Sequence, residues 1–192
     1  MASGFRNFLC DIEPMLLHFS VRRFLCQKGQ HYHITDFSKG AMLVKQAGVA
    51  RGDRYERWYG LLQEEIELIA APGARVIAVG NAVAEHLSLR AFPREVTAVI
   101  HYSPLASRAR TARLTGHEAR FRKFASSFSL EDVLTTAQDV LAESKVPPEV
   151  YREALSRVAR SQLTESRSKL VYCYKLDFEA IKATTRRDDA AF

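Results

Sequence analysis

The chain is poor in cysteine. Three stand among its 192 residues, Cys10, Cys26 and Cys173, and no two have the spacing of a metal-ligand pair. An odd, scattered set excludes a disulfide framework and points to free thiols in a reducing interior. No metal site and no cofactor is expected. Long apolar runs are missing too: none approaches the roughly 20 residues a helix needs to cross a bilayer. The first residues do not build the apolar centre of a signal peptide, because Arg6, Asp11 and Glu13 interrupt them. The expectation is a soluble, cytoplasmic monomer without membrane contact. Glycine-rich phosphate loops of the Walker or dinucleotide type are absent, and so are internal repeats.

What is present is apolar enough to fold: 47% of the residues are hydrophobic. That supports one domain over residues 1–192 with a sizeable core. The formal charge of +6 favours an anionic partner. Its basic residues are unevenly placed. Between His101 and Lys123 stand Arg108, Arg110, Arg113, Arg120, Arg122 and Lys123 against a single acid, Glu118. A solvated basic face and a nucleic-acid contact are both open readings of that cluster.

Periodicity sets out the elements. Phe5, Phe8, Leu9, Ile12, Leu16 and Phe19 recur at helical spacing, with Pro14 predicting a kink or two short helices. His31–Thr35 reads as a short strand and residues 40–52 as a loop or short helix. Asp53 is the expected cap of a helix to about Ala70. After the Pro72-Gly73 turn, a strand at Arg75–Gly80 and a helix from Asn81 to Arg90 lead to a β-branched run ending at Ile100. This alternation predicts an α/β fold, three-layer α-β-α around a short parallel sheet, with its core at about 30–108. Beyond it, an extension at about 125–183 adds helices from Ser129 to Glu143, with Asp132 in a capping box, and from Pro147-Pro148 to Gln162. Residues 169–181 alternate and are rich in aromatics, which predicts a closing strand, and 184–192 read as a frayed tail.

The run ends in His101-Tyr102-Ser103-Pro104-Leu105-Ala106. This resembles the His-Pro-Ser-Pro-Leu-Ser loop after the last core strand of the uracil-DNA glycosylase-like superfamily. Ile34-Thr35-Asp36-Phe37-Ser38-Lys39 is similar to that superfamily's Ile-Thr-Asn-Val-Val-Lys, and the helix from Asp53 with Arg75-Val76-Ile77-Ala78-Val79-Gly80-Asn81-Ala82 is similar to its helix and Pro-Lys-Val-Ile-Val-Leu-Gly-Ala strand. The resemblance covers about residues 30–108, in the same order.

The resemblance implies a DNA glycosylase that binds single- or double-stranded DNA, flips out a modified base and hydrolyses its N-glycosidic bond. Some members of that superfamily hold an iron–sulfur cluster with four cysteines, a set that Cys10, Cys26 and Cys173 cannot supply. Leu105 stands where a wedge would hold the opened step apart. Ser103, Pro104 and Arg108 would meet the phosphate backbone. His101 would donate to the base carbonyl as negative charge grows there. Asp36 departs from the family's base-reading Asn. An ionised carboxylate only accepts hydrogen bonds, so it suits an exocyclic amine, as on a cytosine-type base, better than uracil. Equally open for Asp36 is a cap on the following turn.

The family's first motif, a Gly-rich loop that positions the attacking water, is not found. Asp11-Ile12-Glu13-Pro14 is the one local substitute, as part of a shortened version at 8–14. Alternatively strand 169–181 fills the gap, or the motif lies upstream of Met1, the favoured expectation. Without it, a catalytically inactive nucleic-acid-binding protein of the same fold is the competing reading. A different α/β enzyme, with a strand-end histidine by coincidence, is the third, and salt-insensitive or absent DNA binding would single it out.

Overall fold

The structure, a computed structural model, describes residues 12–27, 29–39 and 48–189. Phe5, Phe8, Leu9, Cys10, Asp11 and the stretch 40–47 lie outside the described residues. In chain order the elements are α1 (Ile12–Ser20) with a wider turn at Val21–Leu25, α2 (Arg51–Ile69), β1 (Val76–Val79), α3 (Asn81–Leu89), β2 (Val96–Val99), a tight turn at Pro104–Ala106, α4 (Ser107–Arg113), α5 (Glu118–Ser127), α6 (Leu130–Glu143), α7 (Pro148–Ala159) and α8 (Glu165–Asp189). They fall into two compact units. One is His33–Val99; the other joins the residues up to Tyr32 with those from Ile100 on. The boundary divides the 30–108 stretch expected to be the core.

In the unit His33–Val99, the fold is α/β. β1 and β2 pair in parallel, from Val76 opposite Val96 to Val79 opposite Val99. Parallel neighbours need a crossover rather than a hairpin, and α3 supplies it. Gly80 makes the sharp entry at φ 102°, a left-handed angle open to glycine, and its N–H donates to Val99 at 2.8 Å. Phe37, Tyr59, Leu62, Ala78 and Leu87 form the core. Asp53 is not the cap of α2: Ala50 holds that position at φ 46°, and Asp53 sits in the first turn, where its charge suits the exposed N–H groups.

The expected strand at His31–Thr35 does not form. The segment belongs to no ladder among the described residues, so its extended sequence preference has no partner strand to act on. Side chains hold 33–39 instead. His33 Nε2 donates to Glu65 on α2 at 2.9 Å and Lys39 pairs with the same carboxylate. Burial acts to raise the Glu65 carboxyl, but its bonds from Lys39, His33 and Thr35 outweigh this and hold it below the ordinary carboxylate value. Phe37 is buried with its ring 4.3 Å from that of Tyr55. Burying a phenylalanine contributes roughly 2–3 kcal/mol, against about 0–1 for an exposed ion pair. Phe37 is therefore the main anchor.

The other unit is helical, and α8 runs through its centre. Leu170 to Tyr174 are all buried, with Asp177, Phe178 and Ile181. The strand expected at 169–181 is thus part of a helix. Residues 170, 174, 178 and 181 recur at helical spacing, and burial of the adjoining Val171, Tyr172 and Cys173 hides that period behind a strand-like composition. Lys175 and Glu179, four apart, pair on the exposed side. The backbone stays helical through Asp189, where a frayed tail was expected. The kink or second helix expected at Pro14 involves residues before Ile12, which lie outside the described residues. Pro14 itself lies in the first described turn of α1, a position where a missing N–H is tolerated. The capping box at the start of α6 forms as expected: Ser129 Oγ accepts from the Asp132 N–H and Asp132 accepts from the Ser129 N–H.

Candidate nucleic-acid interface

His101 follows β2 by two residues, and its ring is fixed by the chain just beyond it. The Ser103 N–H donates to His101 Nδ1 at 2.9 Å. An acceptor Nδ1 carries no proton, so the neutral ring has its proton on Nε2. The Tyr102 ring stacks on the imidazole at 4.5 Å, tilted by 27°. Ser103, at φ −61° and ψ 152°, has the extended geometry that a residue before proline requires, and Pro104 opens the tight turn that leads into α4. The φ of −61° suits proline, but in Ser103→Pro the ring Cδ takes the place of the N–H that meets His101 Nδ1, so the substitution should both remove the bond and push the imidazole aside. The expected outcome is a mixture of the two His101 tautomers by ¹⁵N NMR with stability lowered by about 1–3 kcal/mol for the lost bond and the displaced ring. A single unchanged tautomer would show that this bond does not set it.

Leu105 sits on that turn, 94% exposed. Leu68 and Leu89 are each 85% exposed as well, so what sets Leu105 apart is its place on a short turn directly before the basic helix α4. Arg108 is exposed on the first turn of α4, and Arg120, Arg122 and Lys123 are exposed on α5. Arg108, Arg120 and Lys123 make no ion pair among the described residues. Their charge is available to an anionic partner.

Two of the basic residues grouped by sequence do something else. Arg110 is buried, 4% exposed, and reaches back beneath the loop. Arg113 pairs through Nε and Nη2 with Asp177 Oδ1 on α8, the Nε bond at 3.0 Å, and that bond holds the guanidinium above its ordinary value. Cys173, one turn earlier on α8, donates from Sγ to the Arg110 carbonyl oxygen at 3.7 Å. Burial first, then the nearby Asp177, pushes its thiol up to about 11. It is a protonated packing group rather than a nucleophile. Sequence reasoning missed Asp177 and Cys173 because they face α4 only once 165–189 is read as a helix.

Within this unit the structure therefore groups His101, Ser103, Pro104, Leu105 and Arg108 on one short stretch. Asp36 belongs to the other unit, exposed between Thr35 and the buried Phe37. Glu13, from the substitute for the missing motif, lies in the first turn of α1 and pairs with Arg167 at 2.9 Å, so residues 12–14 build no strand-end loop. Among the described residues, no group of three or more His, Cys, Asp or Glu side chains is placed to hold a metal ion. No described helix is long and apolar enough to cross a membrane. Compared with family models, curated proteins and solved structures, the chain matches none.

Proposed function

We propose that this is a DNA-binding protein of the uracil-DNA glycosylase-like type. It opens a base step with Leu105, offers the His101 Nε2–H to the carbonyl of the extruded base and promotes hydrolysis of its N-glycosidic bond. The observation that carries the reading is Leu105 itself, 94% exposed at the tip of a hydrogen-bonded turn. A flipped base leaves a gap in the stack, and an apolar wedge fills it. Two further features support it. The His101 tautomer carries its proton on Nε2, a donor of the kind that stabilises negative charge on a departing base. The unpaired Arg108, Arg120 and Lys123 supply phosphate contacts on consecutive helices. In this reading β1, α3 and β2 are part of a three-layer α-β-α core, and the free thiols of Cys26 and Cys173 fit a cytoplasmic setting.

The second reading, binding without chemistry, is favoured by Glu13. That carboxylate is engaged with Arg167 rather than held ready to activate water. Incubation with duplexes carrying uracil or modified cytosines, followed by alkaline cleavage of abasic sites, separates the two. Scission that disappears in His101→Ala supports the glycosylase; binding without scission on every duplex supports the binder. Affinity must in either case fall with salt. Removing Arg108 is expected to lower the slope of log K against log salt by about 1, since each phosphate contact contributes about 0.9. Salt-independent or absent binding would overturn both.

A further inference from the structure

Arg110 stands in the middle of the basic cluster, yet solvent scarcely reaches it. Its Nη1 donates to the Ser103 carbonyl at 3.0 Å and lies 3.4 and 3.5 Å from the carbonyls of His101 and Tyr102. Only the first is a bond of ordinary length; the other two are long contacts that orient the same guanidinium group. Three consecutive carbonyls thus converge on one cation. The peptide units they belong to include the Ser103–Pro104 unit that opens the turn and the Tyr102–Ser103 unit whose N–H donates to His101 Nδ1. Arg110 is in turn held from behind. Its own carbonyl accepts from the buried Cys173 thiol, and Arg113, one turn on, is tied to Asp177 on the same helix α8.

A buried arginine satisfied by backbone carbonyls costs desolvation, and a residue serving only as surface charge would not be placed there. We infer that Arg110 is the positioning residue of the loop: its bond to the Ser103 carbonyl fixes Ser103, so that the Ser103 N–H keeps the His101 proton on Nε2 and Leu105 stays displayed, and it touches no phosphate. The inference rests on the DNA-facing reading for the role of the loop, but its geometry is internal to the protein and can be tested apart from DNA.

The test uses Arg110→Met, which keeps the stem and removes every donor, and Arg110→Lys, which keeps the buried charge but reaches fewer carbonyls. In the unaltered protein ¹⁵N NMR should show one His101 tautomer, protonated at Nε2. In both variants, at temperatures where circular dichroism shows them folded, the second tautomer should grow several-fold. Ser103 amide exchange should also accelerate by about tenfold, the order expected for one lost hydrogen bond. Arg110→Lys should show the smaller change. Arg110→Met should weaken DNA binding with the salt slope unchanged, because no phosphate contact has gone. An unchanged tautomer and unchanged Ser103 exchange in either folded variant overturn the inference, and so does a salt slope lowered by about 1. If the unaltered protein binds no DNA but the tautomer shifts in the variants, Arg110 still positions the loop, and it is the proposed function that fails.

Discussion

Between pH 7 and pH 4 the protein is expected to lose about 3 kcal/mol of stability through one histidine, His18. The residue lies on α1, where its Nδ1 is 3.1 Å from the Tyr32 hydroxyl. Burial pushes the ring down to about 4 from an ordinary value of 6.5. Between those two values the unfolded chain takes up a proton that the folded protein refuses. Stability is full above pH 6.5 and falls as pH drops toward 4, because lowering the pH feeds the unfolded state. Urea midpoints at pH 7 and pH 4 measure the effect. His18→Phe keeps an apolar ring in place and removes the proton site, so its loss over the same interval should be smaller by about 3 kcal/mol. Carboxylates such as Glu65, held below its ordinary value, add their own acid sensitivity in both proteins and cancel in the difference. Equal losses would mean that His18 is charged in the fold.

Leu105→Ala is expected to separate stability from binding. A side chain 94% exposed contributes little to the core, so the variant should unfold within about 0.5 kcal/mol of the parent protein. Opening a base step costs a few kcal/mol, and the wedge offsets part of it. Affinity for a duplex with a mismatched pair should fall by about 10- to 100-fold, or about 1.4–2.8 kcal/mol, the share of the unstacking cost assigned to the wedge. A single-stranded oligonucleotide has no stack to open. Its affinity should stay within about twofold, carried by Arg108, Arg120 and Lys123. Equal losses on the two ligands would assign Leu105 to a general contact surface.

Much of the loop was legible from residue order alone. The β-branched run before His101, the Ser103-Pro104 turn and the exposed basics are local features, and local chemistry decides them. The α6 capping box and the β1–α3–β2 unit were legible for the same reason: Ser129 and Asp132 are three apart, and Gly80 marks the strand-to-helix turn. The misread parts depend on partners distant in sequence. His31–Thr35 has strand-forming residues, but a strand exists only when another strand supplies its ladder; here Glu65 and Phe37 hold the adjoining segment instead. Residues 169–181 are buried on several sides, which erases the polar face that marks a surface helix. Arg110 and Arg113 looked like charges for a partner because sequence shows charge and not burial. Only the packing of α4 against α8 reveals that one serves the loop and the other Asp177.

The most direct measurement is the fluorescence of a DNA duplex carrying 2-aminopurine, a base that brightens when it leaves the stack. Saturating amounts of the protein are predicted to raise the signal several-fold, and saturating amounts of Leu105→Ala are predicted to bind without raising it. A duplex that is fully bound yet stays dark with the unaltered protein, or one that brightens equally with Leu105→Ala, would contradict a loop that opens DNA.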